Sequence, residues 1–150
     1  MSAHALHMQR ALELAKLQAG RTGQNPSVGC VIIDRNGQRL SEAATGDGGR
    51  PHAEQLALAN IPVGSAVGGT AYVTLEPCRQ RSTDEASCSQ RLVDAGLAHV
   101  FIATRDPHPL GSGGMTRLRE AGIEIDLGIL REDADQFYAD FFASVASETP

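Results

Sequence analysis

Short apolar runs alternating with segments of helical periodicity predict an α/β protein whose helices cover both faces of a sheet. Three observations carry this. Residues 28–33, 71–75 and 100–103 are nearly continuous apolar stretches rich in β-branched side chains, the pattern of strands buried on both faces. The segments between them repeat their apolar residues every three or four positions. Asn36-Gly37 places tight-turn chemistry between the first run and a second strand at 40–44, so the sheet opens with an antiparallel hairpin before becoming largely parallel.

The elements follow in order. Ala5, Met8, Leu12, Ala15 and Ala19 form one apolar stripe of a first helix, and Gly20 stops it. Residues 21–27 are polar, contain Asn25-Pro26 and read as a loop. After the hairpin, residues 45–50 carry three glycines. They match no phosphate-cradling motif and read as a flexible lead into the next helix. That helix covers 52–60, with Pro51 at its entry. The strand at 71–75 ends at Glu76-Pro77, and a polar loop runs from Arg79 to Ala86. Cys88 opens a helix through Leu92 and Val93. The strand at 100–103 is followed by loop at 106–109 and 111–114, then by a short helix marked by Met115, Leu118 and Ala121. Ile123, Ile125 and Leu127 alternate with Glu124 and Asp126, which indicates an edge or half-exposed strand. One last helix carries Leu130, Ala134, Phe137, Phe141 and Val145. No repeat or linker interrupts the pattern, and residues 1–150 are expected to form a single domain.

Composition narrows the function. The formal net charge is −5 and aromatics make up 4% of the chain, with no Trp. No lysine or arginine run supplies the basic face of a nucleic-acid binder, and few platforms exist for stacking single-stranded bases. No apolar run reaches the length that crosses a bilayer, and residues 1–20 lack a signal-peptide pattern. A cytoplasmic location is expected. There the three cysteines are better suited to metal binding or catalysis than to a disulfide.

The chemistry concentrates in Pro51-His52-Ala53-Glu54, Glu76-Pro77-Cys78 and Cys88. Catalytic zinc takes three protein ligands of N and S type and keeps one position open. His52, Cys78 and Cys88 supply such a set, one Zn²⁺ per chain. Taken singly each has a plainer use: His52 as a helix-capping residue, the cysteines as core residues or a Cys78–Cys88 disulfide, Glu54 as a first-turn acid. Taken together, H-x-E before P-C and a further Cys is the signature of zinc deaminases acting on amino heterocycles. His52 and Glu54, two apart, do not share a helix face. They converge only if the metal sits off the helix N-terminus, toward which side chains tilt. Zinc there lowers the pKa of water to about 7, and Glu54 is the candidate catalytic proton carrier. Asn25 can donate to and accept from a heterocycle edge, and His108, between two prolines, can line a pocket. Cys30 reads as a core residue, and His4 and His7 as solvated.

With these residues in place the chain resembles the cytidine-deaminase-like superfamily, most closely the pyrimidine deaminase domain of bifunctional riboflavin-biosynthesis enzymes. The similarity runs through Asn25-Pro26-Ser27-Val28-Gly29-Cys30, Gly49-Arg50-Pro51-His52-Ala53-Glu54, Thr74-Leu75-Glu76-Pro77-Cys78 and Asp106-Pro107-His108-Pro109. It implies a three-layer α/β/α sandwich on a five-stranded mixed sheet, one catalytic zinc and a homo-oligomer, dimer or tetramer. The implied reaction removes an amine from a diaminopyrimidinone bearing a ribosylamino phosphate. Position by position, His52, Cys78 and Cys88 hold zinc, Glu54 moves protons and Asn25 meets substrate. The loop between the thiols departs from the family, lacking its usual histidine and paired prolines. Thr45 stands where the family often has a substrate-side histidine. Arg79 or Arg81 could meet a phosphate, while Asp84 and Glu85 oppose one. The reductase domain that normally follows has no counterpart in these 150 residues. A free-base or nucleoside substrate of the cytosine or guanine type is the alternative. A nucleic-acid base deaminase fits the acidic charge poorly, and a non-catalytic relative would have no use for Glu54.

Overall fold

The computed structural model describes residues 2–79, 87–108 and 112–148. In chain order the elements are α1 (Ala3–Gln18), β1 (Gly29–Ile33), β2 (Arg39–Ala44), a short 3-10 turn (Asp47–Gly49), α2 (Ala53–Ala59) and β3 (Thr70–Leu75). They continue with α3 (Cys88–Asp94), β4 (His99–Thr104), α4 (Gly114–Glu120), β5 (Glu124–Leu127), α5 (Arg131–Phe137) and α6 (Ala139–Glu148).

The five strands form one mixed sheet in the order β2-β1-β3-β4-β5. The hairpin is present: β1 and β2 are antiparallel, with Cys30 opposite Ala43. Its turn is built as the dipeptide demands, with Gly37 at φ 86° and the Asp34 carboxylate accepting from the Asn36 and Gln38 N–H groups at 2.9 Å each. The expectation of a largely parallel sheet needs one correction. β1 is antiparallel to β3 as well, and only β3-β4 and β4-β5 are parallel. The chain leaves β2, crosses through α2 and returns one strand further on, so β2 and β3 run the same way with β1 reversed between them.

Alternation along each strand divides the core in two. Cys30, Ile32, Ala71, Val73, Val100 and Ile102 pack with Ala53, Ala57, Leu92, Met115 and Leu118 of α2, α3 and α4. Val31, Ile33, Tyr72 and Phe101 pack on the other face with Met8, Ala11 and Leu12 of α1 and Ala134 and Tyr138 of the C-terminal helices. β1 is buried along its whole length. β5, the edge strand, alternates between exposed and partly buried positions as its sequence predicts. The contact of α1 on β1 is close enough to require glycine: a Cβ on Gly29 would lie 1.8 Å from the Ala11 carbonyl oxygen. No helix of the described residues is long and apolar enough to cross a membrane.

Three local expectations change. The glycine-rich lead to α2 is pinned: Gly46 N–H donates to Pro51 O at 2.9 Å and Gly48 N–H to Arg21 O at 2.8 Å. The single last helix is two, broken at Tyr138 (φ −92°, ψ 8°), with Leu130 left-handed before the first. Helical periodicity could not register that break, because the Tyr138 hydroxyl reaches buried partners on other elements. His4 is exposed as expected but also engaged, its Nδ1 2.6 Å from Tyr72 Oη and its ring stacked on Phe101 at 4.4 Å.

Candidate active site

The carboxyl ends of the parallel strands β3 and β4 and the N-termini of α2 and α3 meet at one place, the usual location of sites in α/β sheets. His52 is the N-cap of α2, in extended conformation, and its ring makes no capping bond. Glu54 is the second residue of that helix. The two side chains therefore leave the helix start rather than its flank, as their spacing requires. Cys88 is the first residue of α3, with Ser87 capping the helix through its hydroxyl, which accepts from Gln90 N–H at 3.1 Å. Cys78 follows β3 across Glu76-Pro77, and its carbonyl accepts from Ser89 N–H at 3.1 Å. The loop leaving Cys78 is thus stitched to the start of α3.

His52 Nδ1 lies 3.3 Å from Cys88 Sγ and 4.0 Å from Cys78 Sγ, and the three ligand atoms all fall within 4.8 Å of one another. A tetrahedral zinc centre with ordinary Zn–S and Zn–N bonds separates such atoms by about 3.6–3.8 Å. The spacing and the donor set fit zinc. No disulfide joins Cys78 to Cys88. The Cys78 thiol is held well below its ordinary pKa, first by hydrogen bonding with the Cys88 side chain and also by His52 and the Cys88 N–H; burial opposes this. A thiolate is the metal-binding form.

Glu54 is 3% exposed. Burial raises its carboxyl pKa, and negative charge at Cys78 adds to the rise, while His52, its own backbone N–H and Cys88 pull the other way. A buried acid shifted toward neutrality can both take and return a proton.

The remaining candidates are placed as follows. Asn25 donates from Nδ2 to Gly49 O at 3.0 Å, three residues before His52, so it ties the α1–β1 loop to the lead into α2. Thr45 is 2% exposed, and its Oγ1 accepts from Val28 N–H at 2.9 Å. Its side chain braces β1 rather than facing outward, the outcome expected of a small hydroxyl residue beside a backbone donor. Arg79, next to Cys78, is exposed, and its side chain lies over Gly113. His108 is half-buried and its N–H donates to Asp106 Oδ1 at 2.8 Å. Arg81 lies outside the described residues, as does the rest of 80–86.

Two acids that sequence reasoning did not single out stand at the same strand ends. Glu76 is 6% exposed. Its carboxylate accepts from the N–H groups of Asp106 at 3.3 Å, Gly113 at 3.1 Å and Met115 at 3.3 Å, joining β3, the loop after β4 and the start of α4. That start presses on the site loop: a Cβ on Gly114 would lie 1.7 Å from Pro77 O. Asp106 is pushed up to about 6, chiefly by burial, with the charges of Glu76 and Cys78 adding and the His108 N–H opposing. An acid directly after the buried run 71–75 was the available signal for Glu76, since such a group needs donors. A cavity of about 410 Å³ between α2 and α3, lined by Leu58, Ile61, Arg91 and Ala95 among others, contains none of these residues.

Comparison with known proteins agrees with this geometry. The family model described as "Cytidine and deoxycytidylate deaminase zinc-binding region" matches residues 1–104. The chain is 40% identical over 145 residues to the riboflavin biosynthesis protein RibD of Aquifex aeolicus, covering 96% of this chain and 40% of that one. The chain thus spans well under half the length of the RibD relatives. It is 40% identical over 149 residues to the diaminohydroxyphosphoribosylamino-pyrimidine deaminase of Buchnera aphidicola subsp. Acyrthosiphon pisum, covering 96% of this chain and 97% of that one. Among solved structures, the Thermotoga maritima diaminohydroxyphosphoribosylaminopyrimidine deaminase/5-amino-6-(5-phosphoribosylamino)uracil reductase superposes with a TM-score of 0.88 at 32% identity, over 98% of this chain and 42% of that one.

Proposed function

The chain belongs to the cytidine and deoxycytidylate deaminase zinc-binding family, and we propose that it is a hydrolytic deaminase whose substrate is the diaminohydroxyphosphoribosylaminopyrimidine named for its relatives. The observation that carries this reading is the match to a Buchnera deaminase of the same extent, which this chain covers almost end to end. The proposal includes one zinc per chain held by His52, Cys78 and Cys88, and a homo-oligomer of the whole chain as a single domain. The acidic balance of the chain favours a small molecule over nucleic acid.

Zinc held by these residues supplies the Lewis acidity that makes water a competent nucleophile near neutral pH. Glu54 does the proton work. Its carboxylate would accept a proton from the attacking water and pass it to the adjacent ring nitrogen; it would then take the remaining proton of the added hydroxyl and give it to the departing amine, which leaves as ammonia as the ring carbonyl forms. Burial keeps its proton affinity near that of the groups it serves. The site lies at the positive ends of α2 and α3, which favours the negative charge that builds as water adds. In this reading Asn25 meets the heterocycle, His108 lines the pocket, and Arg79 or Arg81 receives the phosphate.

The test is ammonia release screened across aminopyrimidines, purines and their nucleosides and nucleotides. Turnover of the phosphorylated diaminopyrimidinone is expected to dominate. Turnover of cytosine- or guanine-type bases with none of that compound would overturn the substrate assignment.

A further inference from the structure

Helices α5 and α6 lie beyond the residues that the family model matches, yet their junction reaches into the heart of the fold. Tyr138 is 2% exposed. Its hydroxyl donates to Ser27 O at 2.7 Å and lies 2.7 Å from Thr74 Oγ1. A phenol has one proton. With that proton on Ser27 O, Thr74 must donate to the tyrosine oxygen, and Thr74 Oγ1 in turn accepts from Gly29 N–H at 3.0 Å. The result is a closed, one-directional circuit: Gly29 N–H to Thr74, Thr74 to Tyr138, Tyr138 to Ser27. It begins and ends on one stretch of backbone, residues 27–29. The Ser27 hydroxyl, donating to Ala15 O at 2.7 Å, anchors the same stretch to α1. Asn25-Pro26 leads directly into it.

We propose that Tyr138 is a positioning residue for the substrate side of the site, its hydroxyl holding residues 27–29 and thereby the Asn25 amide in place. This rests on the functional reading above and on Asn25 as a substrate contact. His52, Glu54 and Cys88 stand off the circuit at the starts of α2 and α3, and Cys78 lies four residues beyond Thr74. The hydroxyl bonds to neither Glu54 nor a zinc ligand, so its part is in how substrate is held. A second tie from the same helix serves as a control: Thr104 Oγ1 donates to Asp135 Oδ1 at 2.6 Å, fastening α5 to β4 without touching residues 25–29.

The experiment compares Tyr138→Phe and Asp135→Ala in the full zinc-loaded chain. For Tyr138→Phe, KM is expected to rise about fivefold, the equivalent of one neutral hydrogen bond, with kcat held within about twofold and zinc content unchanged. Amide exchange at residues 27–29 is expected to quicken. Asp135→Ala is expected to lower Tm while leaving KM alone. An unchanged KM in Tyr138→Phe, a fall in kcat with loss of zinc, equal KM effects in both variants, or unaltered exchange at 27–29 would each overturn the proposal. If the wild-type protein releases no ammonia from any aminoheterocycle, the functional reading fails on its own, and exchange at 27–29 still decides whether the circuit holds that segment.

Discussion

The backbone N–H of Cys88 donates to Cys78 Sγ at 3.2 Å. One cysteine thus stabilises the other as thiolate through main chain, before any metal is considered. This bond exists because Cys88 is the first residue of α3, where N–H groups have no partner within the helix.

Cys88→Ala is expected to abolish stoichiometric zinc and lower Tm while keeping the secondary structure, since the main-chain bond to Cys78 survives. Metal analysis of the purified variant beside its circular dichroism spectrum checks both halves. Full zinc content in Cys88→Ala would remove this residue from the ligand set.

Glu54→Gln keeps the shape and discards the proton carrier. Ammonia release is expected to fall by about 10²–10⁴-fold with zinc retained. Burial disfavours the charged form of Glu54, so the neutral amide is also expected to melt no lower than wild type. Retained turnover would dismiss Glu54 as the carrier.

Asp106 gives a pH signature in stability. Its folded pKa, about 6, is above the ordinary carboxylate value, so the folded state favours the protonated acid. That contribution is fully present below about pH 4 and is lost as pH rises through 6. Asp106→Asn keeps an acceptor for the His108 N–H and never ionises. Relative to wild type it is expected to gain on the order of 1–2 kcal/mol between about pH 4 and pH 7 after allowing for solvent screening. Paired thermal melts across that range would show a widening gap in Tm; a gap independent of pH would refute the assignment.

Gly29→Ala drives a methyl group to 1.8 Å from Ala11 O. Since the obstacle is backbone on both sides, α1 must move off β1. A loss of about 2–3 kcal/mol is expected, which lowers Tm by roughly 5–10 °C. A Tm unchanged in Gly29→Ala would mean that the α1–β1 contact is looser than drawn.

How much of this was written in the sequence depends on the range of the interactions. The strand at 28–33, the Asn36-Gly37 turn and the half-exposed β5 follow from periodicity and turn chemistry, both local. His52 and Glu54 converging off a helix start also followed, because their spacing forbids the helix flank. What was not legible was settled at long range. Glu76 looked like a strand terminator, whereas three N–H groups from two later segments claim its carboxylate. Thr45 stands where the resemblance places a substrate-side histidine, but its hydroxyl accepts from the Val28 N–H. The break at Tyr138 and the reversed placement of β1 against β3 both depend on partners distant in the chain.

His52 and Cys88 are 36 residues apart along the chain and 3.3 Å apart in space. An ion joining them closes that whole span, with α2 and β3 inside it, into a ring. By the loop-entropy relation used for disulfides, such a cross-link removes roughly 4 kcal/mol of freedom from the unfolded chain. The reaction centre would then double as the staple of its own scaffold, so that metal starvation would leave the cell with a looser protein as well as a silent one.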